Sequence, residues 1–148
     1  MPNWCENVVT ITGNLDNLTR FKNTMNTPDE EGKVVEFSFY QTIPRPKIED
    51  KYWYNWNWEN WGCKWDVGDS EIKWGENEVT ICFDTPWDPP GPWAKTVARL
   101  FDLKIVIEFE DPGWPFTGKI VATASDFTWK REDGRRKREE EKEEEESE

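Results

Sequence analysis

Aromatic and lysine side chains concentrate in residues 43–66 and carry the clearest binding chemistry of the sequence. The chain of 148 residues contains 11 tryptophans, and this segment is electrically neutral within a strongly acidic chain. Indole and phenol rings stack on nucleobases, and neighbouring ammonium groups neutralise phosphates. We therefore predict a site for a nucleotide-type small molecule, with rings for the bases and lysines for the phosphates. Its residues would be Trp53, Tyr54, Trp56, Trp58, Lys47, Lys51 and Lys64.

The same rings have an alternative use as core residues. Aromatic side chains bury much apolar area, and an uncovered sheet face in a small domain needs such a cover. Trp61 and Trp65 flank Gly62, and we expect both rings to be mostly buried. The spacing predicts a short helix that ends near Gly62, followed by an extended piece over 63–67. Burial and ligand contact stay open as alternatives for each ring.

Catalytic chemistry has weaker support. The chain has no histidine, which excludes mechanisms that need an imidazole base, nucleophile or metal ligand. Cys63 as a nucleophile would need Lys64 or Asp66 as its base, and three cysteines without paired spacing indicate free thiols. Carboxylates near the aromatic motifs could hold Mg²⁺ or act as acid and base, but with 31 acidic residues such groupings arise by chance. We predict a protein that is not an enzyme and holds no metal or cofactor. The carboxylates concerned are Asp66, Asp84 and Asp88, and the remaining cysteines are Cys5 and Cys82.

The negative charge lies mostly outside the C-terminal tail. The formal net charge is −12; residues 130–148 carry 7 basic and 10 acidic residues, and residues 1–129 carry 12 and 21. A body this negative repels duplex nucleic acid and anionic membranes and suits a basic protein partner. The sequence lacks an apolar run of about 20 residues and begins without the features of a signal peptide. We therefore expect a cytoplasmic protein.

Apolar periodicity predicts alternating strands and helices. Helical spacing follows Asn14, a predicted N-cap, and Pro92, a predicted first helical residue. The order indicates two β-α-β halves, hence an α+β ferredoxin-like split β-α-β sandwich with an additional C-terminal strand. The strand-like stretches are 7–12, 35–39, 77–85, 103–110 and 118–129.

This architecture divides the chain into two parts. Residues 1–129 are the predicted globular domain, and residues 43–66 are a Trp-rich insertion between its two halves. The insertion is expected to cover the sheet face that the helices leave open. Residues 130–148 have no apolar side chain and are predicted to be a charged, disordered tail.

Three motifs resemble a known family. They are MPNWCEN followed by VVTITG, then WYNWNWENWGCKWD, and then FDTPWDPP. In this order and at these separations they resemble the YubB ferredoxin-like family over roughly residues 1–125. The family often has a small polar residue in place of Cys63 and Ala in place of Pro86. The resemblance implies a ferredoxin-like fold and a source in phages, plasmids or related mobile elements, and it carries over no catalytic residue.

Two functions follow as hypotheses. The first is a non-enzymatic accessory protein of a mobile element that counters host defence by sequestering a nucleotide-type signal. The alternative is a protein–protein inhibitor. It would bind a basic host protein, either a defence enzyme or a nucleic-acid enzyme, through an acidic, Trp-rich surface. Both place the protein in the host cytoplasm, and both leave self-association open.

Overall fold

The strands predicted near 7–12, 77–85 and 103–110 and the helices predicted after Asn14 and at Pro92 are present in the structure. The computed structural model describes residues 3–47, 52–111 and 116–133. Within them the elements follow in the order β1 (Trp4–Thr12), α1 (Leu15–Thr24), α2 (Trp53–Asn60), β2 (Ser70–Trp74), β3 (Glu78–Pro86), α3 (Gly91–Phe101), β4 (Lys104–Asp111), β5 (Phe116–Ala122) and β6 (Phe127–Asp133). No helix among these residues is long and apolar enough to cross a membrane.

The six strands form a single antiparallel sheet with the connectivity of a split β-α-β fold. The strands form a six-stranded sheet in the order β2-β3-β1-β4-β5-β6, and all neighbouring strands are antiparallel. Two units, β1-α1-β2 and β3-α3-β4, interleave in the first four positions, which is the split β-α-β arrangement. The predicted α+β ferredoxin-like class is confirmed, with β5 and β6 added beyond β4.

The helices cover one face of the sheet. Alternate residues of β1, β3 and β4 are buried, among them Val9, Ile81 and Ile107. Asn14 caps α1 as predicted, because its side chain accepts a hydrogen bond from the backbone N–H of Asn17 at 2.8 Å. Pro92 lies in the first turn of α3. The core therefore lies between this sheet face and the layer that contains the helices.

The predicted strand over 35–39 is wrong. Phe37 and Phe39 are buried there, but the backbone is irregular, and its N–H groups are held by side chains. Asp66 accepts hydrogen bonds from the N–H groups of Phe39 and Tyr40. The second strand is instead β2, so the Trp-rich segment 43–66 lies between α1 and β2, inside the first half and not between the halves.

The segment 43–66 also covers a different face from the one predicted. Trp61 packs on Phe39 at a ring distance of 5.9 Å, and Phe39 packs on Phe83 and Trp93. Phe83 and Trp93 belong to the core beneath the helices. The segment thus extends the helical layer, and exposed residues such as Glu6 and Glu108 remain on the other sheet face.

The C-terminal stretch is a hairpin, not the single strand predicted over 118–129. Its turn is closed by a 2.8 Å hydrogen bond from the Thr123 N–H to the Asp126 carbonyl oxygen. β6 continues to Asp133, and the Arg131 guanidinium lies 3.7 Å from the Phe116 ring centroid. Folded structure therefore extends past the predicted boundary at 129. Residues 134–148 of the predicted tail lie outside the described residues.

Candidate functional site

Helix α2 ends in a turn that requires glycine at position 62. The N–H groups of Trp61 and Gly62 both donate to the Asn57 carbonyl oxygen. Gly62 has a φ of +82°, and a Cβ there would meet Pro92 Cδ at 2.5 Å, so the position requires glycine. The predicted end of the helix near Gly62 is confirmed. The predicted extended piece over 63–67 is wrong, because residues 63–65 form bends and residues 66–67 have no regular secondary structure.

Buried Asn57 fixes the loop that follows the helix. Its side-chain N–H donates to the Lys64 carbonyl oxygen at 2.8 Å. Its side-chain oxygen accepts a hydrogen bond from Arg45 at 3.1 Å, and Arg45 also pairs with Glu30. The indole N–H of Trp61 donates to the Ile43 carbonyl oxygen at 3.0 Å. These bonds hold Lys64 at a defined place on the surface.

The Asp66 carboxylate is held by backbone N–H groups inside the protein. Its carboxylate accepts three backbone hydrogen bonds, from Phe39 and Val67 at 2.7 Å and from Tyr40 at 3.2 Å. Burial raises the pKa of the Asp66 carboxyl, and the three N–H donors oppose that rise. The side chain thus joins the loop over 37–40 to the end of the Trp-rich segment.

Exposed rings surround the Lys64 ammonium. Lys64 Nζ lies 5.8 Å from the Tyr54 ring centroid, 5.3 Å from that of Trp65 and 5.8 Å from that of Trp87. Distances of this order are typical of cation–π contacts. Further rings pack edge-on around this set: Trp4 on Trp65, and Trp53 and Trp58 on Tyr54. We call Lys64 with these six rings the Lys64 cluster.

Trp87 is held in the cluster by an unusual backbone. Its φ is +63°, in the left-handed region that non-glycine residues rarely adopt. The Trp87 N–H donates to the Asn3 carbonyl oxygen, and the Thr85 hydroxyl donates to the Asp88 carbonyl oxygen at 2.6 Å. Strain of this kind persists where surrounding bonds determine it, and it is frequent at functional sites.

The predicted site residues separate into three groups. Trp53, Tyr54, Trp58 and Lys64 come together in the cluster, whereas Trp56 is half-buried and packs on Trp61 at 5.2 Å. Lys47 is exposed, and among the described residues no ring contact joins it to the cluster. Lys51 lies outside the described residues.

Burial of the two tryptophans that flank Gly62 differs. Trp61 is 1% exposed, as predicted, whereas Trp65 is 36% exposed and belongs to the cluster, so its predicted burial is wrong. Trp4 and Trp87 were not predicted as site residues at all. Strand pairing brings them near each other, since Trp4 lies opposite Pro86. Their only sequence signal is a tryptophan in each of the outer two motifs.

The thiols and carboxylates considered for catalysis occupy separate places. Burial raises the pKa of the Cys5 thiol to about 12 and that of Cys63 well above its usual value, which opposes thiolate formation. Asp88 pairs with Arg131 at 3.5 Å, and Asp84 lies on the exposed sheet face. Within the described ranges, no group of three or more His, Cys, Asp or Glu side chains could hold a metal ion.

Carboxylates form a row across the exposed sheet face. Glu6 lies opposite Asp84 on β3 and Glu110 on β4, and Thr117 then links Glu110 to Glu132 on β6. Like charges directly opposite each other destabilise a sheet. Two hollows of about 600 and 560 Å³ lie on this face and share Glu6. We call Glu6, Asp84, Glu110 and Glu132 the acidic row.

Comparison with known proteins identifies the family. A family model described as a ferredoxin-like domain in Api92-like protein matches residues 60–148, more than half of the chain. The chain belongs to this family. The Api92-like match begins at the last residue of α2 and includes Lys64, Trp65 and Trp87. It confirms the ferredoxin-like fold that the resemblance implied, and the family that it names is the Api92-like one.

A solved structure has the same fold. The crystal structure of protein api92 from Yersinia pseudotuberculosis aligns with 88% of this chain and 98% of its own, with a TM-score of 0.61 and 8% sequence identity. At this identity the likeness shows the fold alone. The search of curated proteins found no match to the chain.

Proposed function

We propose that this protein is a non-enzymatic interaction protein that binds a basic protein through the Lys64 cluster and the acidic row together. The observation that carries the proposal is their continuity on β1. Trp4 and Glu6 are both exposed, and the residue between them, Cys5, is buried. Because side chains alternate along a strand, Trp4 and Glu6 lie on the same sheet face, about 7 Å apart.

Both halves of this surface have properties of a protein interface. Tryptophan and tyrosine are the residues that most often dominate binding energy, and exposed aromatic patches mark interaction sites. Carboxylates aligned across strands cost stability in the free protein, and a cationic partner would remove that repulsion. The acidic row also resembles a line of phosphates, which suits a basic nucleic-acid enzyme as the target.

A role in a mobile element follows as part of the proposal. A phage or plasmid protein that occupies the nucleic-acid surface of a host enzyme would counter the defence in which that enzyme acts. The activity needs no catalytic residue, only a surface that competes with nucleic acid. Its place of action would be the host cytoplasm.

Affinity capture with charge-matched variants tests the proposal. The full chain and its Glu6→Gln/Glu110→Gln variant are used as bait in host lysate, and each captured protein is then purified and titrated calorimetrically. We expect a basic protein whose binding weakens at least ten-fold in the variant and falls steeply with salt. Asp16→Asn/Glu31→Gln removes two exposed carboxylates elsewhere and serves as control. Equal binding by bait and variant would contradict the proposal.

A nucleotide-type ligand is the second candidate, and the Lys64 cluster is the observation that favours it. Bases would stack on Tyr54, Trp87 or Trp65, and Lys64 would contact phosphate. It ranks second because Lys47, among the described residues, makes no ring contact with the cluster, and the acidic row begins two residues from Trp4. Calorimetric titration with mononucleotides and cyclic dinucleotides tests it; no binding below about 100 µM, near −5.5 kcal/mol, would exclude those ligands.

A further inference from the structure

The Lys64 cluster already holds a cation, and that cation belongs to the chain itself. The Lys64 ammonium lies among rings from three separate segments: α2, the bends after Gly62 and the loop between β3 and α3. The arrangement shows that these rings create an environment in which a positive charge is favourable. A lysine that occupies such a place can also leave it, because its four-carbon chain is flexible.

The same molecule shows a closer cation–ring contact elsewhere. The Arg131 guanidinium lies 3.7 Å from the Phe116 ring centroid and the Arg20 guanidinium 5.5 Å from that of Phe101, whereas Lys64 Nζ stays 5.3 Å or more from its three rings. A planar guanidinium stacks on a ring face and is less strongly hydrated than an ammonium. Because of this planarity and weaker hydration, arginine suits an exposed tryptophan face better than lysine does.

Resting on the proposed function, we propose that an arginine side chain of the basic partner inserts among the rings of the Lys64 cluster and displaces the Lys64 ammonium. The acidic row binds neighbouring cationic residues of the same partner segment. Charge complementarity supports this occupant, since Glu6 and Asp84 lie next to the cluster along β1 and β3. Lys64 then acts as a competitor, which a partner without arginine would not displace.

This assignment makes a prediction of opposite sign from nucleotide binding. If Lys64 competes with an incoming arginine, removal of its charge should strengthen binding. If Lys64 instead contacts a phosphate, removal of its charge should weaken binding. Lys64→Gln keeps much of the aliphatic side chain and leaves the backbone carbonyl that Asn57 binds, so the fold is expected to be retained.

Two ten-residue peptides of equal charge test the inference on the full chain. One alternates arginine with serine, and the other alternates lysine with serine. Calorimetry at low salt should give about 2- to 5-fold tighter binding of the arginine peptide. Lys64→Gln should raise its affinity by a similar factor, and Trp87→Ala should abolish the preference for arginine. Leu15→Ala, which removes an exposed apolar side chain at the start of α1, serves as control and should change neither affinity.

Each result decides between the proposals. Equal affinity for the two peptides, with both weakened by Glu6→Gln/Glu110→Gln, would overturn the arginine assignment and leave the basic partner standing. Weaker binding of the arginine peptide by Lys64→Gln would also overturn it. If neither peptide binds below about 100 µM at low salt, the surface does not attract cations and both proposals fail.

Discussion

This protein has one buried and one exposed group of aromatic side chains, which contain similar residue types in opposite environments. In the buried group, Phe37, Phe39, Trp61 and Trp93 contact one another at ring distances of 5.4–6.0 Å. The indole N–H groups are satisfied inside the protein, by the Ile43 carbonyl oxygen for Trp61 and the Thr42 hydroxyl for Trp93. Every ring of this group is covered.

The Lys64 cluster lacks that cover. Trp4 is 44% exposed and Trp87 is 40% exposed, although each packs against another member of the cluster. Among the described residues, their indole N–H groups donate to no side chain or carbonyl. Within this arrangement the backbone of Trp87 has a positive φ of +63°. The comparison shows that the abundance of tryptophan says little about function, whereas cover and hydrogen-bond partners separate a core ring from a ring on the surface.

Trp61→Ala should give the largest effect in this comparison. It removes a fully buried ring and the hydrogen bond to Ile43, so we expect a loss of roughly 3–5 kcal/mol in the free energy of unfolding. Trp65→Ala, four residues along and exposed, should cost less than about 1 kcal/mol. Urea denaturation of both variants measures the difference, and similar losses would show that the two groups form one packed unit.

Gly62→Ala should disturb both groups at once. The added methyl group meets the Pro92 ring and forces a left-handed φ on alanine, for which we expect a cost of roughly 2–4 kcal/mol. Because Gly62 lies between Trp61 and Lys64, partner binding should weaken as well. Thermal unfolding and calorimetry measure the two effects. Gly68→Ala, where nothing lies within 4 Å of the new methyl group, is the control.

Regular elements were predictable from the sequence, and the places where the prediction failed have physical reasons. β1, α1, β3, α3 and β4 each have clear apolar periodicity. β2 does not, because it is a short edge strand whose one strongly apolar aliphatic residue is Ile72. The stretch 35–39 imitates a strand through alternating rings, but hydrogen bonds to Asp66 and Gln41 hold it in an irregular form. Such tertiary bonds leave no local pattern.

The candidate site was predictable in part. The segment 43–66 supplies Lys64, Tyr54 and Trp65, and the high density of aromatic residues in the sequence was enough to indicate this segment. Trp4 and Trp87 join only through the pairing of β1 with β3, which a pattern along the chain does not show. The acidic row likewise arises only from the register of five strands, β3, β1, β4, β5 and β6. Both depend on which strands are neighbours in the sheet.

Asp66→Asn tests the loop that supplies the buried rings. The amide turns an N–H group toward a backbone donor, so we expect a loss of roughly 1–3 kcal/mol at neutral pH. The pKa of Asp66 is raised above 3.8 by burial, so the folded state binds this proton more tightly than the unfolded state. The stability of the wild type relative to the variant should therefore increase as the pH falls through the raised pKa toward 3.8.

Chemical denaturation at several pH values between 7 and 4 measures this change. Asp84→Asn is the matched control, because Asp84 is exposed in the acidic row, and we expect it to cause no loss of stability. A pH dependence that is the same in wild type and Asp66→Asn would show that the carboxylate of Asp66 titrates as it does in the unfolded chain.

The smallest expected effect compares glycine with alanine at position 87. Both substitutions remove the ring and should weaken partner binding equally. Because φ is +63° there, Trp87→Gly should be more stable than Trp87→Ala by about 1 kcal/mol. At position 65, where φ is not positive, the order should reverse, and Trp65→Gly should be less stable than Trp65→Ala by roughly 0.5–1 kcal/mol. Thermal unfolding of the four variants resolves this sign change. If glycine were the less stable residue at both positions, the backbone of Trp87 would be relaxed, and the strain could not be counted as support for a binding role.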